Sequence, residues 1–408
     1  MRTFTQKQSG ARMMTNNFAL FGAKPIFDNP LSLGQFYFPS LERYEAAFQG
    51  IFERQYYNNN GPLLNELENK LQEFLGVKHA ICVSNATLGM MMVADAMELY
   101  GKVVIPAINF VSTAQLLSWL GLKPVFCDID LNTFQMDINQ IDELIDKDVS
   151  AIIAANLWGG ACNQKLISEF AESKGVQLCF DSAHAFGCRV NNLPIGNFGV
   201  AEVFSFNAKN ILSAAEGGCI CTNDDNIATR LTSIRPSYGV ANTVSIVRVA
   251  NARMSEAQAA IALMNLDDFS ENQKQNQCLY QIYETKISTI PGLNIVKPSG
   301  VSFSNKQYVI CIVDEALFGL SRDLLIEILK AENISIPCDF YALPYPSQTY
   351  DQELSRQMNS LPNTKSFFST YIELPIGALV STESVERICD LLNRVHQSSA
   401  EIYKRLEK

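Results

Sequence analysis

The sequence predicts an α/β fold, with a mostly parallel sheet covered by helices and followed by a smaller α+β unit. Three observations predict it. Between Asn60 and about Leu266, short apolar runs alternate with helical patterns. The intervening helices are long enough for right-handed crossovers between parallel strands. After about residue 270 the texture changes to a long polar helix and scattered apolar runs. The expected organisation is an N-terminal segment 1–60, a large domain 61–266 and a small domain 267–408.

Each element has its own justification. Gly61-Pro62 opens a helix, because Pro is tolerated in a first turn, and Leu64, Leu67, Leu71 and Phe74 follow at helical spacing. Gly76 closes it. Ala80–Val83 reads as a strand and Leu88–Leu99 as a helix. Val103–Ile105, Pro124–Asp128, Ser150–Ala155 and Val176–Phe180 are β-rich, with helical patterns at 112–120, 138–146 and 164–174 between them. Glu202–Phe206 and Gly218–Thr222 read as a final strand pair. Beyond them come a helix at Asp267–Ile287, apolar runs at Leu293–Val296 and Tyr308–Val313, and helices at 321–331 and 384–407.

Composition narrows the function classes. The chain has 408 residues, 47% hydrophobic and 18% charged, with a net charge of −10. It carries no Lys/Arg stripe of the kind that binds nucleic acid. The most apolar long stretch, Val103 to Phe126, is interrupted by Asn109, Ser112, Thr113, Gln115 and Lys123, so no membrane span is expected. The first residues have no apolar core of a secretory signal. Eleven cysteines form no C-x-x-C pair, and several sit in apolar runs, which suits a reducing cytoplasm. Three histidines leave no basis for a His-rich metal site.

In open α/β sheets, ligands bind beyond the carboxyl ends of the strands. After the first strand, Ser84-Asn85-Ala86-Thr87 opens a helix, where backbone N–H groups and the positive dipole end suit a phosphate, although the same residues suit a plain N-cap. After 103–105 comes Phe110, which could stack on a flat ring or simply fill the core. After 176–180 comes Asp181-Ser182-Ala183-His184. Asp181 could hold a protonated ring nitrogen, and His184 could orient a neighbour or move protons. After 202–206 come Lys209 and Asn210, and a lysine there could condense with a carbonyl. Together these parts describe a pyridoxal phosphate site.

The order NNNGPLLNELE, VSNAT, PAINFVSTA, PVFCDID, LWGG, FDSAHAFG, EVFSFNAKNILSAAEGG, ANARMSEAQAA, ELPIG resembles the DegT/StrS-type nucleotide-sugar aminotransferases over about residues 56–395. It looks closest to members acting on dTDP-4-keto-6-deoxysugars. The resemblance implies a fold-type I aminotransferase homodimer with shared active sites and bound pyridoxal 5'-phosphate (or pyridoxamine phosphate). It also implies a nucleotide-linked keto-deoxysugar as substrate and glutamate as amino donor. By motif, Ala86 and Thr87 would hold the phosphate and Phe110 would stack on the ring. Asp181 would pair with the ring nitrogen, and His184 would lie against the ring. Ser205 would add a phosphate contact, and Asn251 would reach the phosphate of the neighbouring subunit.

Two departures qualify the resemblance. The family pattern is F-S-F-H-x-x-K, and without gaps it puts Asn210 at the lysine position, Lys209 one place early and Asn207 in place of His. A paired deletion and insertion would restore Lys209. Tyr345, in the stretch Phe340–Tyr345, stands where a substrate-facing His is expected. Three readings stay open: aminotransfer, lysine-independent sugar chemistry of the dehydratase kind, or a non-catalytic family member that binds a cofactor or partner.

Overall fold

The computed structural model describes residues 18–58, 60–236, 248–336, 357 and 360–406. A central sheet of seven strands is formed by β1 (His79–Val83), β2 (Lys102–Pro106), β3 (Lys123–Cys127), β4 (Val149–Ala155), β5 (Gln177–Asp181), β8 (Glu202–Ser205) and β9 (Gly218–Thr222). A small hairpin, β6 (Arg189–Val190) and β7 (Leu193–Pro194), lies between β5 and β8 in the chain. The sheet order is β1-β9-β8-β5-β4-β2-β3. The four pairs from β8 to β3 are parallel, and β9 runs antiparallel to both β1 and β8. Val83, Pro106, Asp181 and Ser205 therefore end their strands at one edge, and Gly218 begins β9 there.

Both faces of the sheet are apolar because both are covered. Val103, Ile105, Ile153, Cys179, Val203 and Ile220 share one buried cluster. Their alternates Val104, Ile152, Leu178 and Phe180, with Cys82, Phe204, Cys219 and Cys221, fill the opposite side. The covering helices include α2 (Pro62–Leu75), α3 (Ala86–Ala96), α4 (Val111–Trp119), α5 (Ile138–Leu144), α6 (Gln164–Lys174) and α7 (Asp225–Ile234). Pro62 sits in the first turn of α2, and Gly76 caps it with φ of 64°.

Ahead of these lies α1 (Leu41–Arg54), which packs on α8 (Glu256–Asp267). The long helix expected at Asp267–Ile287 begins at Phe269 as α9 (Phe269–Ile287). Asp268, with ψ near 2°, breaks it from α8, and its carboxylate accepts from Tyr37 Oη and Arg43, each at 2.5 Å.

The C-terminal part has a three-stranded antiparallel sheet ordered β10 (Leu293–Ile295), β11 (Val309–Val313) and β12 (Tyr371–Leu374). It carries α10 (Glu315–Phe318), α11 (Arg322–Ala331), α12 (Pro362–Thr370) and α13 (Thr382–Gln397). The closing helix expected at 384–407 is two helices, α13 and α14 (Ser399–Leu406). Ser398 interrupts it at φ −102°, ψ 3°, and its carbonyl starts the new helix by accepting from Glu401 and Ile402 N–H. Val309, Cys311, Val313, Ile372 and Leu374 face a core shared with these helices. Tyr308, Ile310 and Tyr371 face the other way, toward Leu157 and Trp158.

Candidate active site

The carboxyl edge of the large sheet opens into a cavity of about 310 Å³. Ala86, Thr87, Phe110, Asp181, His184, Ser205, Lys209 and Asn210 all line it. Eight of the sequence-expected residues, spread over more than a hundred positions of the chain, thus converge on one space.

The anion end is built first. Asn85 caps α3 through a bond from Leu88 N–H at 2.9 Å, which leaves the N–H groups of the first turn directed into the cavity. Thr87 Oγ1 and Ser112 Oγ lie 3.3 Å apart, and Ser205 faces them from the end of β8. Gly218 closes the cradle from behind. A Cβ there would stand 2.8 Å from the Phe204 carbonyl oxygen and 3.0 Å from Ala86 N, so the close approach of these strands requires glycine.

The opposite end carries charge without a full set of partners. Asp181 ends β5, and its carboxylate accepts from Ala183 N–H at 3.2 Å and from Thr113 Oγ1 at 3.4 Å, both long. Burial pushes its carboxyl above the usual range, opposed by those two bonds. A positively charged ring nitrogen would supply what this carboxylate lacks. Behind it, Ser182 Oγ donates to Glu202 at 2.5 Å, and Asn156 Nδ2 donates to Ser182 Oγ at 2.9 Å. Gly196 and Phe198 N–H groups fix the other Glu202 oxygen. This buried network holds the turn that aims Asp181.

His184 is pushed down to about 3 by burial. Trp158 N–H points at its Nδ1 from 3.5 Å, which makes Nδ1 the acceptor and leaves the ring proton on Nε2. The imidazole stacks at a tilt on Tyr308, centroids 4.5 Å apart. Phe110, 45% exposed, presents its ring on the open side.

The loop after β8 decides which residue is presented. Asn207 Oδ1 accepts from Lys209 N–H, and Asn207 Nδ2 donates to Glu216 at 2.8 Å. Asn210 is buried, and its Nδ2 donates to the Ser205 carbonyl at 2.9 Å. Lys209 runs beneath the N-terminal strap: Gln35 N–H donates to its carbonyl, and a Cβ at Gly34 would meet Lys209 Cβ and Cγ at 3.1 Å. Asn251 stands outside the cavity, exposed, with its Oδ1 accepting from Arg253 Nε at 2.9 Å. Tyr345 and the rest of the 340–345 stretch lie outside the described residues.

Sequence reasoning missed Thr113, Tyr308, Glu216 and the Gly34–Gln35 strap. Thr113 was findable, three residues after Phe110 and hence one helical turn along. The strap gives no local signal, because its partner is more than 170 positions away.

The donor set fits pyridoxal phosphate: an amide-rich anion cradle, an open aromatic, a carboxylate wanting a cation, and a lysine lining the same cavity. Comparison with known proteins agrees. The DegT/DnrJ/EryC1/StrS aminotransferase family matches residues 41–393. A dTDP-4-amino-4,6-dideoxy-D-glucose transaminase of Shigella dysenteriae is 30% identical over 373 residues, covering 91% of this chain and 99% of that protein. One of the same name from Escherichia coli is 29% identical, covering 90% and 98%. The crystal structure of DesI, analysed in the presence of its TDP-sugar product, superposes with a TM-score of 0.88 at 32% identity, covering 96% of this chain and all of that one.

Proposed function

This chain belongs to the DegT/DnrJ/EryC1/StrS aminotransferase family, and from that premise we propose that it transfers an amino group to a nucleotide-linked 4-keto-6-deoxysugar, with glutamate as the donor. It is a pyridoxal phosphate-dependent sugar aminotransferase with a fold-type I architecture. The observation that carries the proposal is that Lys209 shares one cavity with Asp181, His184 and the α3 phosphate cradle.

When bound, pyridoxal phosphate supplies an electron-withdrawing ring that stabilises negative charge on a substrate carbon. The chain's residues do the rest. Ala86, Thr87 and Ser205 hold the phosphate. Asp181 keeps the ring nitrogen protonated, and Phe110 and His184 confine the ring. Lys209 Nζ would take and return a proton at the donor carbon, as base and then as acid. Asn210 has an amide with no useful proton affinity near neutrality, so it positions the loop instead. The dehydration and non-catalytic readings gain nothing from the geometry, because a lysine, Lys209, lines the same cavity as Asp181.

The assembly we infer is a homodimer with shared sites. Supporting it, Asn251 and Phe110 are exposed in one protomer, as are Phe38, Leu41, Phe52 and Trp119. A reducing cytoplasm suits ten described cysteines that are all free thiols, nine of them buried. Among the described residues, no helix is long and apolar enough to cross a membrane.

The test is direct. The purified protein with pyridoxal phosphate, glutamate and dTDP-4-keto-6-deoxy-D-glucose should yield 2-oxoglutarate and an aminated dTDP-sugar by mass spectrometry. Absence of both products with this and other nucleotide-linked keto-deoxysugars contradicts the proposal.

A further inference from the structure

Asn207 follows the end of β8 by two residues and lines the cavity, and the chemistry above leaves its side chain unused. Its amide has two partners of opposite kind. Oδ1 accepts from Lys209 N–H at 3.1 Å, and Nδ2 donates to Glu216 Oε1 at 2.8 Å. A backbone N–H must face the amide oxygen and a carboxylate must face the amide nitrogen, so the two partners fix which way the amide points. The bond to Lys209 N–H spans two residues. That is the reach of an Asx-turn, in which a side chain stands in for part of a backbone turn. Around it, Asn207 N–H donates to Ser205 Oγ at 3.3 Å, and the Asn207 carbonyl accepts from Asn210 N–H at 2.9 Å. Lys209 thus leaves the strand end through successive turns centred on one residue.

The far partner is itself anchored. The Glu216 carbonyl accepts from Gln258 Nε2 at 2.7 Å. Gln258 is held in turn by the capping box of α8, where its N–H donates to Ser255 Oγ at 3.3 Å and its Oε1 accepts from Ser255 N–H at 2.9 Å. Phe206 N–H donates to the Gly217 carbonyl and Ala214 N–H to the Phe206 carbonyl, each at 2.9 Å, which closes the base of the loop. A chain of bonds therefore runs from the start of α8 through Glu216 and Asn207 to the Lys209 peptide. The acceptor at Glu216 is a carboxylate, which makes the bond to Asn207 one of the stronger links. The other side of the lysine segment is gripped as well. The Lys209 carbonyl accepts from Gln35 N–H at 3.1 Å, and the Ala208 carbonyl from Phe36 N–H at 3.2 Å.

We propose that Asn207 is a positioning residue for Lys209, with Glu216 as the support that orients its amide. The proposal rests on the aminotransferase reading, in which Lys209 is the reacting amine, and deepens it. Asn207 acts through the Lys209 backbone, because it fixes the peptide from which that side chain departs. Without the Asn207 amide, the loop loses the bond that sets the direction of the Lys209 Cα–Cβ bond, while the cradle at the start of α3 and Asp181 keep their own supports. Binding of the cofactor and its capture by the lysine are then separable, and Asn207 governs the second.

The experiment sets binding against capture. Deoxypyridoxine phosphate, which lacks the aldehyde, reports binding by fluorescence titration. Borohydride fixation of pyridoxal phosphate on the Lys209 peptide, read by mass spectrometry after brief mixing, reports capture. Asn207→Asp keeps an acceptor for Lys209 N–H but sets a second carboxylate against Glu216. Its fixation rate should fall about tenfold or more, the worth of one charge-assisted bond, with analogue affinity within about threefold of wild type. Adding Glu216→Gln gives the new carboxylate an amide donor and should return fixation to within about threefold of wild type. Fixation unchanged in Asn207→Asp, or a double variant no better than the single one, overturns the proposal. So does a loss of analogue affinity as large as the loss of fixation. Should Asn207→Asp not fold, Glu216→Ala removes the support alone, and fixation should fall about three- to tenfold, with an unchanged rate overturning the proposal. A further arm uses cofactor-free protein. In Asn207→Ala, exchange of the Lys209 amide hydrogen, resolved by fragmentation in the mass spectrometer, should quicken about tenfold or more, and an unchanged rate overturns the proposal. Wild-type protein that binds the analogue yet fixes no cofactor on Lys209 strikes the functional reading instead, and the exchange arm still decides the role of Asn207.

Discussion

The side-chain amide of Asn210 donates to the carbonyl oxygen of Ser205 at 2.9 Å, so the residue in the family's lysine register is folded back onto its own strand. Lys209, one position earlier, leaves the loop under Gly34 and lines the cavity. A one-residue slip in a loop turns a side chain to the other wall, and here both walls belong to one pocket.

Substitution separates the two residues. Lys209→Ala should lower kcat by about 10²–10⁴-fold, the range expected for a lost proton-transfer group. Asn210→Ala should cost about 1 kcal/mol of stability, the value of one hydrogen bond to a half-buried carbonyl, and should keep activity within about tenfold. Steady-state kinetics with chemical denaturation measures both. The reverse ranking would transfer the amine's role away from Lys209.

Gly218→Ala targets the cradle. The added Cβ must stand 2.8 Å from the Phe204 carbonyl and 3.0 Å from Ala86 N, and backbone cannot yield as a flexible side chain does. The first turn of α3 should shift, and affinity for pyridoxal phosphate should fall by about tenfold or more. Fluorescence titration of cofactor-free protein reads the change, and unaltered affinity would place the phosphate elsewhere.

Asp181→Asn keeps the shape and removes the charge. Among the described residues its carboxylate has only two hydrogen bonds, both long, so the loss should fall on the bound ring rather than on folding. Expected are a kcat/KM lower by roughly 10²–10³-fold and a melting temperature close to wild type. A variant that unfolds but retains activity when folded would assign Asp181 to structure.

Much of this was legible beforehand. The parallel strands announced themselves as apolar runs at regular spacing, and their carboxyl ends located Ala86, Thr87, Phe110 and Asp181, while Ser205 followed from the family motif. What escaped were contacts with no periodic signature. Helix α1 (Leu41–Arg54), which leaves Leu41 and Phe52 exposed in one protomer, was not among the expected elements. The break at Asp268 is made by Tyr37 and Arg43, more than two hundred residues upstream. Glu373 alternates with apolar residues as a surface strand would, and only the sheet register shows that its face is the buried one.

Glu202 offers a test of the support behind Asp181. Burial pushes its carboxyl from 4.5 to about 7. A raised carboxyl contributes stability that is complete below about pH 4.5 and is lost as the pH rises through about 7. Glu202→Gln keeps acceptors for Gly196 and Phe198 N–H and cannot ionise. Relative to wild type it should therefore gain roughly 1–3 kcal/mol between pH 4.5 and 7.5 in urea titrations. A pH-independent difference would mean that Glu202 stays charged throughout.

The identity of the residue that joins the cofactor decides between Lys209 and Asn210. Pyridoxal phosphate should be added, the protein reduced with borohydride, and the modified peptide sequenced by mass spectrometry. The prediction is a single adduct on Lys209, lost in Lys209→Ala and retained in Asn210→Ala. An adduct on another lysine, or cofactor that stays bound at Asp181 yet cannot be fixed to the protein, would contradict it.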